Sequence, residues 1–233
     1  MKDLAFSPPD IDVFYPWEID PKETINIAKE CEEIGLDQDN ISNSNGAEVS
    51  SFLGETTYSN SNNFIASTRN SKHSLNLSLI ASNKNEMETA FDYSSVIDAS
   101  TLLPPREIGI RTAELASQKL DPRDIESQKA PIIFIPRLAS GLFSNLITAL
   151  SGGRQYKKNT FLLDSLGKKI LPEFINIYEN PLKKKTIGSK TFDSDGVQKT
   201  GQFFIKEGNV ENYILGQYSA NQLKNKQQAM QAE

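Results

Sequence analysis

The chain contains one histidine, His73, and one cysteine, Cys31, so nucleophilic and metal chemistry have few places to reside. His73 sits in Arg69-Asn-Ser-Lys72-His73-Ser74, where it could serve as a base or join Arg69 and Lys72 in contacting an anion. No nucleophile or orienting acid stands beside it in sequence, and the favoured reading is a polar hairpin residue leading into a strand. Cys31 falls on the apolar face of a helix and reads as a buried structural thiol, since nothing nearby would lower its pKa. Ser151-Gly152-Gly153-Arg154 has the composition of a phosphate loop. Such loops precede a helix, with the amides aimed at the anion. Here the glycines follow a helical pattern, so a helix C-cap is expected. Asp193-Ser-Asp195-Gly196 opens like a calcium loop but lacks the remaining ligands and the bidentate glutamate, so a turn is expected. Lys183-Lys-Lys185 reads as a solvated loop.

The elements that must position these residues follow from caps and periodicity. Asp20-Pro21-Lys22-Glu23 has the form of a capping box with proline at the first helical position. The spacing of Ile27, Cys31 and Ile34 predicts a helix over 21–34, closed by Gly35. Residues 37–63 are rich in Asn, Ser and Gly and read as short strands joined by turns. Leu75, Leu77 and Leu79 alternate as in a strand with one buried face. Phe91 and Tyr93 suggest its pair, with a turn over 83–86. A second helix is expected over 105–120, stopped by Asp121-Pro122. Ile132-Ile-Phe-Ile135 reads as a strand covered on both faces. The helix that follows, 137–151, carries Leu138, Leu142, Leu146 and Leu150 with Phe143 and Ile147, a stripe broad enough to predict deep packing. Asp195-Gly196 and Glu207-Gly208-Asn209 are turn signals between short strands around Phe192, Phe203–Ile205 and Tyr213–Leu215.

These elements imply an α+β fold. Residues 1–20 form an extended or mobile lead-in, 21–127 a mixed middle domain, 128–223 the first part of a β-rich, barrel-like domain, and 224–233 a polar tail. The chain has 233 residues, 25 Lys and Arg against 30 Asp and Glu, and a net charge of −5. That balance gives no basic stripe for nucleic acid. No apolar run is long enough to span a bilayer, and Met1 to Asp12 shows no secretory signal pattern. One cysteine and one histidine exclude an internal disulfide framework and a multi-histidine metal site. A cytoplasmic protein acting on neither membrane nor nucleic acid is expected.

Several separated motifs then occur in one order: Pro16-Trp17, the helix over 25–33, Asn45-Gly46, Ser67-Thr-Arg69, His73-Ser74-Leu75, Ala130-Pro-Ile-Ile-Phe, Ser140-Gly-Leu-Phe-Ser-Asn-Leu, Leu150-Ser-Gly-Gly-Arg, Thr160-Phe-Leu-Leu-Asp-Ser-Leu-Gly-Lys, Leu171-Pro, Phe192-Asp-Ser-Asp-Gly-Val and Tyr218-Ser-Ala. Together, over 14–223, they resemble the TldD/PmbA family and most of all its PmbA (TldE) branch, once described as a modulator of DNA gyrase. The resemblance implies a cytoplasmic, two-subunit metallopeptidase that degrades peptides and processes peptide-antibiotic precursors. Its TldD branch holds zinc on a His-Glu-x-x-x-His helix, which the PmbA branch lacks.

Matched by pattern, that helix falls on 142–154. Ser144 and Asn145 stand where the zinc branch has His and Glu, and Ala149 where it has the second His. Zinc hydrolysis needs neutral imidazoles and a carboxylate to take a proton from bound water, and Ser, Asn and Ala supply neither. The resemblance therefore implies no catalytic residue and no metal in this chain, zinc on a TldD-like partner, and peptides as substrates. It also points to Arg154, Tyr156, Lys157, Asp164 and Lys168 as residues of a peptide channel or partner contact. Plain fold maintenance is the alternative for each, and a non-enzymatic interaction protein the alternative for the whole. Family members are much longer than this chain, so the expectation is a form shortened at both ends.

Overall fold

The computed structural model describes residues 4–223. Helix α1 (Pro21–Leu36) begins as expected. The Lys22 amide donates to Asp20 at 2.6 Å, and the Asp20 amide donates to Glu23 at 3.4 Å. Its end differs from expectation. The helix continues to Leu36, and Gly35 is buried inside it rather than capping it. A Cβ on Gly35 would stand 2.7 Å from Leu79 Cδ1, so this glycine serves the close approach of helix to sheet.

Residues expected to form several short strands make one long strand, β1 (Ile41–Asn60), antiparallel to β2 (Phe64–Ser82). Its apolar alternation is faint because, between Ile41 at its start and Tyr58 near its end, Ala47 and Val49 are the residues that pack against the core. Cross-strand hydroxyl pairs, Ser50 with Ser74 and Thr57 with Ser67 at 2.7 Å each, support the polar stretches. The alternation on β2 is as expected. Leu75, Leu77 and Leu79 face one way, and β3 (Met87–Val96) pairs on the other side of β2 after the predicted turn. The three leucines meet Cys31 and, from α2 (Pro105–Ser117), Ile108 and Ala113. Burying each leucine stabilises the fold by about 1.5–3 kcal/mol. The two helices touch at Gly109, where a Cβ would meet the Cys31 carbonyl oxygen at 2.9 Å.

Residues 121–135 form no helix or strand and are exposed throughout. This corrects the expected doubly covered strand: Ile132 and Ile133 are 73% and 91% exposed. Helix α3 (Pro136–Ala149) forms as the leucine spacing requires, but it is not deeply packed. Only its last turns enter a core. There Leu146, Ile147, Ala149 and Leu150 join Leu162, Phe204, Ile205, Val210 and Tyr213. The start of α3 is held by one clamp. Arg137 donates to the Phe91 carbonyl at 2.6 Å and to the Asp92 carboxylate at 3.3 Å, and lies over the Phe91 ring. Asp92 is buried, and its other oxygen pairs with Arg111 of α2 at 3.0 Å.

Ser151-Gly152-Gly153 does not cap α3 either. Ser151 is the N-cap of a short helix, α4 (Gly152–Tyr156). Beyond it lie a small antiparallel sheet of β4 (Ile177–Glu179), β5 (Gln202–Lys206) and β6 (Asn209–Val210), then α5 (Gln217–Leu223). Both expected turns form, with Gly196 and Gly208 at positive φ. The lead-in is extended, yet it is tied down. Ala5 and Ile11 are buried, and Leu4 bridges Val197. The β1–β2 hairpin tip docks beside it, its Phe64 ring edge-on to Phe6 and Phe192. Gly196 lies against that ring: a Cβ there would come within 2.8 Å of it. The expected polar tail lies outside the described residues.

Three consequences are measurable. Gly109→Val forces a branched side chain against a fixed backbone oxygen, and thermal melts should show a loss of about 2 kcal/mol. Cys31 is fully buried, and burial, reinforced by Glu30 and Glu32, pushes its thiol up to about 12. It should therefore react with a disulfide reagent only after denaturation. Arg137→Met removes a charge-assisted tie of about 1.5–3 kcal/mol, and hydrogen exchange should accelerate across the first turns of α3 while the Leu75–Leu79 amides stay protected.

Candidate functional site

The helix that the resemblance singled out offers its own hydroxyls and amides to its own backbone. Ser144 Oγ donates to the Ser140 carbonyl at 2.8 Å, and Asn145 Nδ2 to the Gly141 carbonyl at 3.0 Å. Both side chains follow the i−4 back-bonding habit of short polar residues inside helices. Ala149 is buried, and its carbonyl accepts from Gln155 Nε2 at 3.1 Å and Thr160 Oγ1 at 2.7 Å. This set does not fit a zinc ion: it contains no imidazole and no carboxylate, and Ser144 Oγ and Asn145 Nδ2 already donate to the helix backbone. Among the described residues, no group of three or more His, Cys, Asp or Glu side chains could hold a metal.

His73 is not the polar hairpin residue the sequence suggested. It sits well inside β2, fully buried, with the Trp17 ring edge-on at 5.5 Å. Its Nε2 lies 2.8 Å from the Tyr15 carbonyl, which can only accept, so that nitrogen carries a proton. In the neutral ring the Ser51 hydroxyl, at 2.9 Å, then donates to Nδ1. Both nitrogens are used to anchor the lead-in to the sheet. Of the companions proposed for it, Arg69 pairs with Glu55 at 3.1 Å. Lys185 of the basic run stacks over the Tyr15 ring at 4.7 Å and is raised above the usual lysine range by its contact with that tyrosine. Asp193 closes the expected turn, accepting from the Asp195 and Val197 amides.

The channel candidates make different contacts. Tyr156 packs edge-on against Tyr218, and Lys157 lies over the Tyr156 ring. Arg154 is exposed on α4. Asp164, with φ of +52°, lines a cavity of about 300 Å³ with Leu166, Tyr213 and Leu223. Lys168 is exposed, and its backbone pairs with Ser165 and Val210. Sequence reading missed the residues that fix the region. Gln155, fully enclosed, ties α4 to Ala149 and Leu162, and the Tyr213 hydroxyl accepts from the Ser165 amide at 2.7 Å. It also missed Asp92 with Arg111 and Arg137. One signal was available: Arg137 is the sole charged residue in the otherwise neutral run 130–153.

No helix among the described residues is long and apolar enough to cross a membrane. Residues 14–120 match the PmbA/TldA metallopeptidase central domain, and residues 127–232 match the PmbA/TldA metallopeptidase C-terminal domain. Metalloprotease PmbA of Escherichia coli O157:H7 is 38% identical over 94% of this chain and 49% of its own length. The PmbA homolog of Haemophilus influenzae is 33% identical over 95% of this chain and 50% of its own. The fold matches a Bacteroides thetaiotaomicron protein described as a modulator of DNA gyrase, with a TM-score of 0.90 at 23% identity over 96% of this chain and 52% of that one. It also matches TldE of Thermococcus kodakarensis, with a TM-score of 0.75 at 21% identity over 94% and 51%. The chain thus spans about half the length of the relatives it matches. Two domain matches in family order, covering nearly all of the sequence, place this chain in the PmbA/TldD metallopeptidase family.

Proposed function

We propose that this chain acts as a PmbA/TldE-like, zinc-free component of a TldD/PmbA-type peptidase, with hydrolysis at zinc held by a TldD-like partner. The observation that carries the reading is the state of α3. At the positions matched to the zinc motif, Ser144 and Asn145 bond to their own helix and Ala149 has no polar side-chain atom. A chain without imidazole or carboxylate there contributes shape and contacts instead of the activated water. The naming of the relatives as metalloproteases supports the peptidase setting. Peptides, including peptide-antibiotic precursors, are the substrates of the assembly, and the cytoplasm is its compartment. The gyrase description of the structural relatives suggests no duplex contact here, because a net charge of −5 repels phosphate.

A second reading has its own observation. The exposed apolar stretch over 132–143 suits a non-enzymatic interaction protein that binds the partner subunit or peptides.

Co-expression with a TldD-like subunit separates the two. The first reading expects co-elution, chelator-sensitive peptide cleavage by the pair, and neither zinc nor cleavage in the isolated chain. Stoichiometric zinc and cleavage by this chain alone would overturn it. Co-elution without cleavage would favour the second.

A further inference from the structure

Charge is divided unevenly along this chain. Residues 1–126 hold 22 of the 30 Asp and Glu but 10 of the 25 Lys and Arg. From 127 to 163 there are five cations, Lys129, Arg137, Arg154, Lys157 and Lys158, and no acid. Helix α4 draws three of the five together. The Lys158 amide donates to the Gln155 carbonyl at 3.0 Å and the Asn159 amide to the Arg154 carbonyl at 2.9 Å. These bonds close the helix as a Schellman turn with Lys158 at the left-handed position, φ +55°. Glycine suits that position, and a lysine there is strained. Arg154, Lys157 and Lys158 are exposed, and none makes an ion pair among the described residues. A helix of five residues has too small a dipole to account for three cations at its end. The platform beneath them is fixed. Gly152 packs against Leu215 and, on α5, Ser219, and buried Gln155 donates to the Ala149 and Leu162 carbonyls. Aromatic surface adjoins the charges: Lys157 lies over the Tyr156 ring, which packs edge-on against Tyr218, itself 66% exposed.

We propose that this turn is a docking surface for acidic peptides. Arg154, Lys157 and Lys158 pair with Asp or Glu side chains of the peptide, and the exposed Tyr218 ring takes an apolar or aromatic side chain next to them. That the occupant is a peptide rests on the peptidase reading; that it is acidic rests on the charges of α4. The guanidinium of Arg154 can hold a carboxylate through two parallel hydrogen bonds, and the two ammonium groups add point charges beside it. The turn is already ordered by its own backbone bonds and by Gln155, so pairing costs little further ordering of the chain. A nucleic-acid duplex is a poorer occupant. Its phosphates extend well past one helical turn, and the acid excess over 1–126 opposes them.

The test follows fluorescence anisotropy of labelled peptides titrated with the full chain alone. Peptides of equal length are compared: one carrying Asp and Glu beside Phe, its Asn and Gln counterpart, and its Lys counterpart. The acidic peptide should bind about fivefold more tightly than the neutral one, with the Lys peptide weakest, and the preference should shrink as salt is raised. The double variant Arg154→Gln with Lys157→Gln should bring the acidic and neutral peptides to equal affinity without moving the thermal melt. Lys158→Gly keeps the left-handed turn and removes one charge, so it should reduce the preference while the chain melts no earlier. Equal affinity of the parent chain for acidic and neutral peptides, a preference unchanged in both variants, or tighter binding of a DNA duplex than of the acidic peptide would each overturn the proposal. The TldD-like subunit is absent from this experiment, so the two readings fail separately. Loss of zinc-dependent cleavage with the acidic preference intact strikes the peptidase reading, and cleavage by the co-expressed pair without that preference strikes this one.

Discussion

One face of β2 organises the first half of the molecule. Ser71, His73, Leu75, Leu77, Leu79 and Ala81 alternate with outward residues, and all six are buried. A slip of one residue against β1 or β3 would turn the whole set to water, so the register is strongly specified. The apolar end of the face seats α1 and α2. The polar end holds the lead-in: the Ser71 amide donates to the Val13 carbonyl at 3.0 Å, and the Tyr15 amide donates to the Ser71 hydroxyl at 2.9 Å. His73 completes that anchor through the Tyr15 carbonyl. The single histidine of the chain is thereby committed to structure, which leaves the protein without a free imidazole for acid–base or metal chemistry.

Besides its contacts with the lead-in, the second half meets the three-stranded sheet at two places of different character. At the hairpin tip, aromatic packing of Phe64 against Phe192, with Gly196 giving the ring room, joins β2 to the distant turn. At the sheet edge, Asp92 shares its charge between Arg111 and Arg137. Both arginines keep partial access to water, so the buried carboxylate is compensated without burying two further charges. That arrangement aligns α3 with the sheet while leaving its flanks open.

The functional reading rests on this placement. A helix that carries metal ligands must have them aimed away from its own backbone and supported by other groups. In α3 the corresponding side chains turn back onto the helix, and the support residues, Gln155 and Thr160, hold the Ala149 carbonyl instead. The front of the helix keeps its apolar side chains exposed.

Much of this was legible in the residues. The capping box at Asp20, the 75–79 alternation, the 83–86 turn and the Asp195-Gly196 turn depend on neighbours a few positions apart, and each formed as read. The ordered motifs also sufficed to point to the family. What local pattern could not supply was the partner of each surface. The long β1 escaped notice because its pairing runs through hydroxyls and backbone rather than apolar alternation. Gly35, Gly109 and His73 took their roles from distant residues that press against them. The strongest apolar signal, over 132–150, misled for the same reason. Periodicity records that those side chains disfavour water, and it makes the helix; whether they are covered depends on polypeptide far from them in sequence, which only the tertiary structure displays.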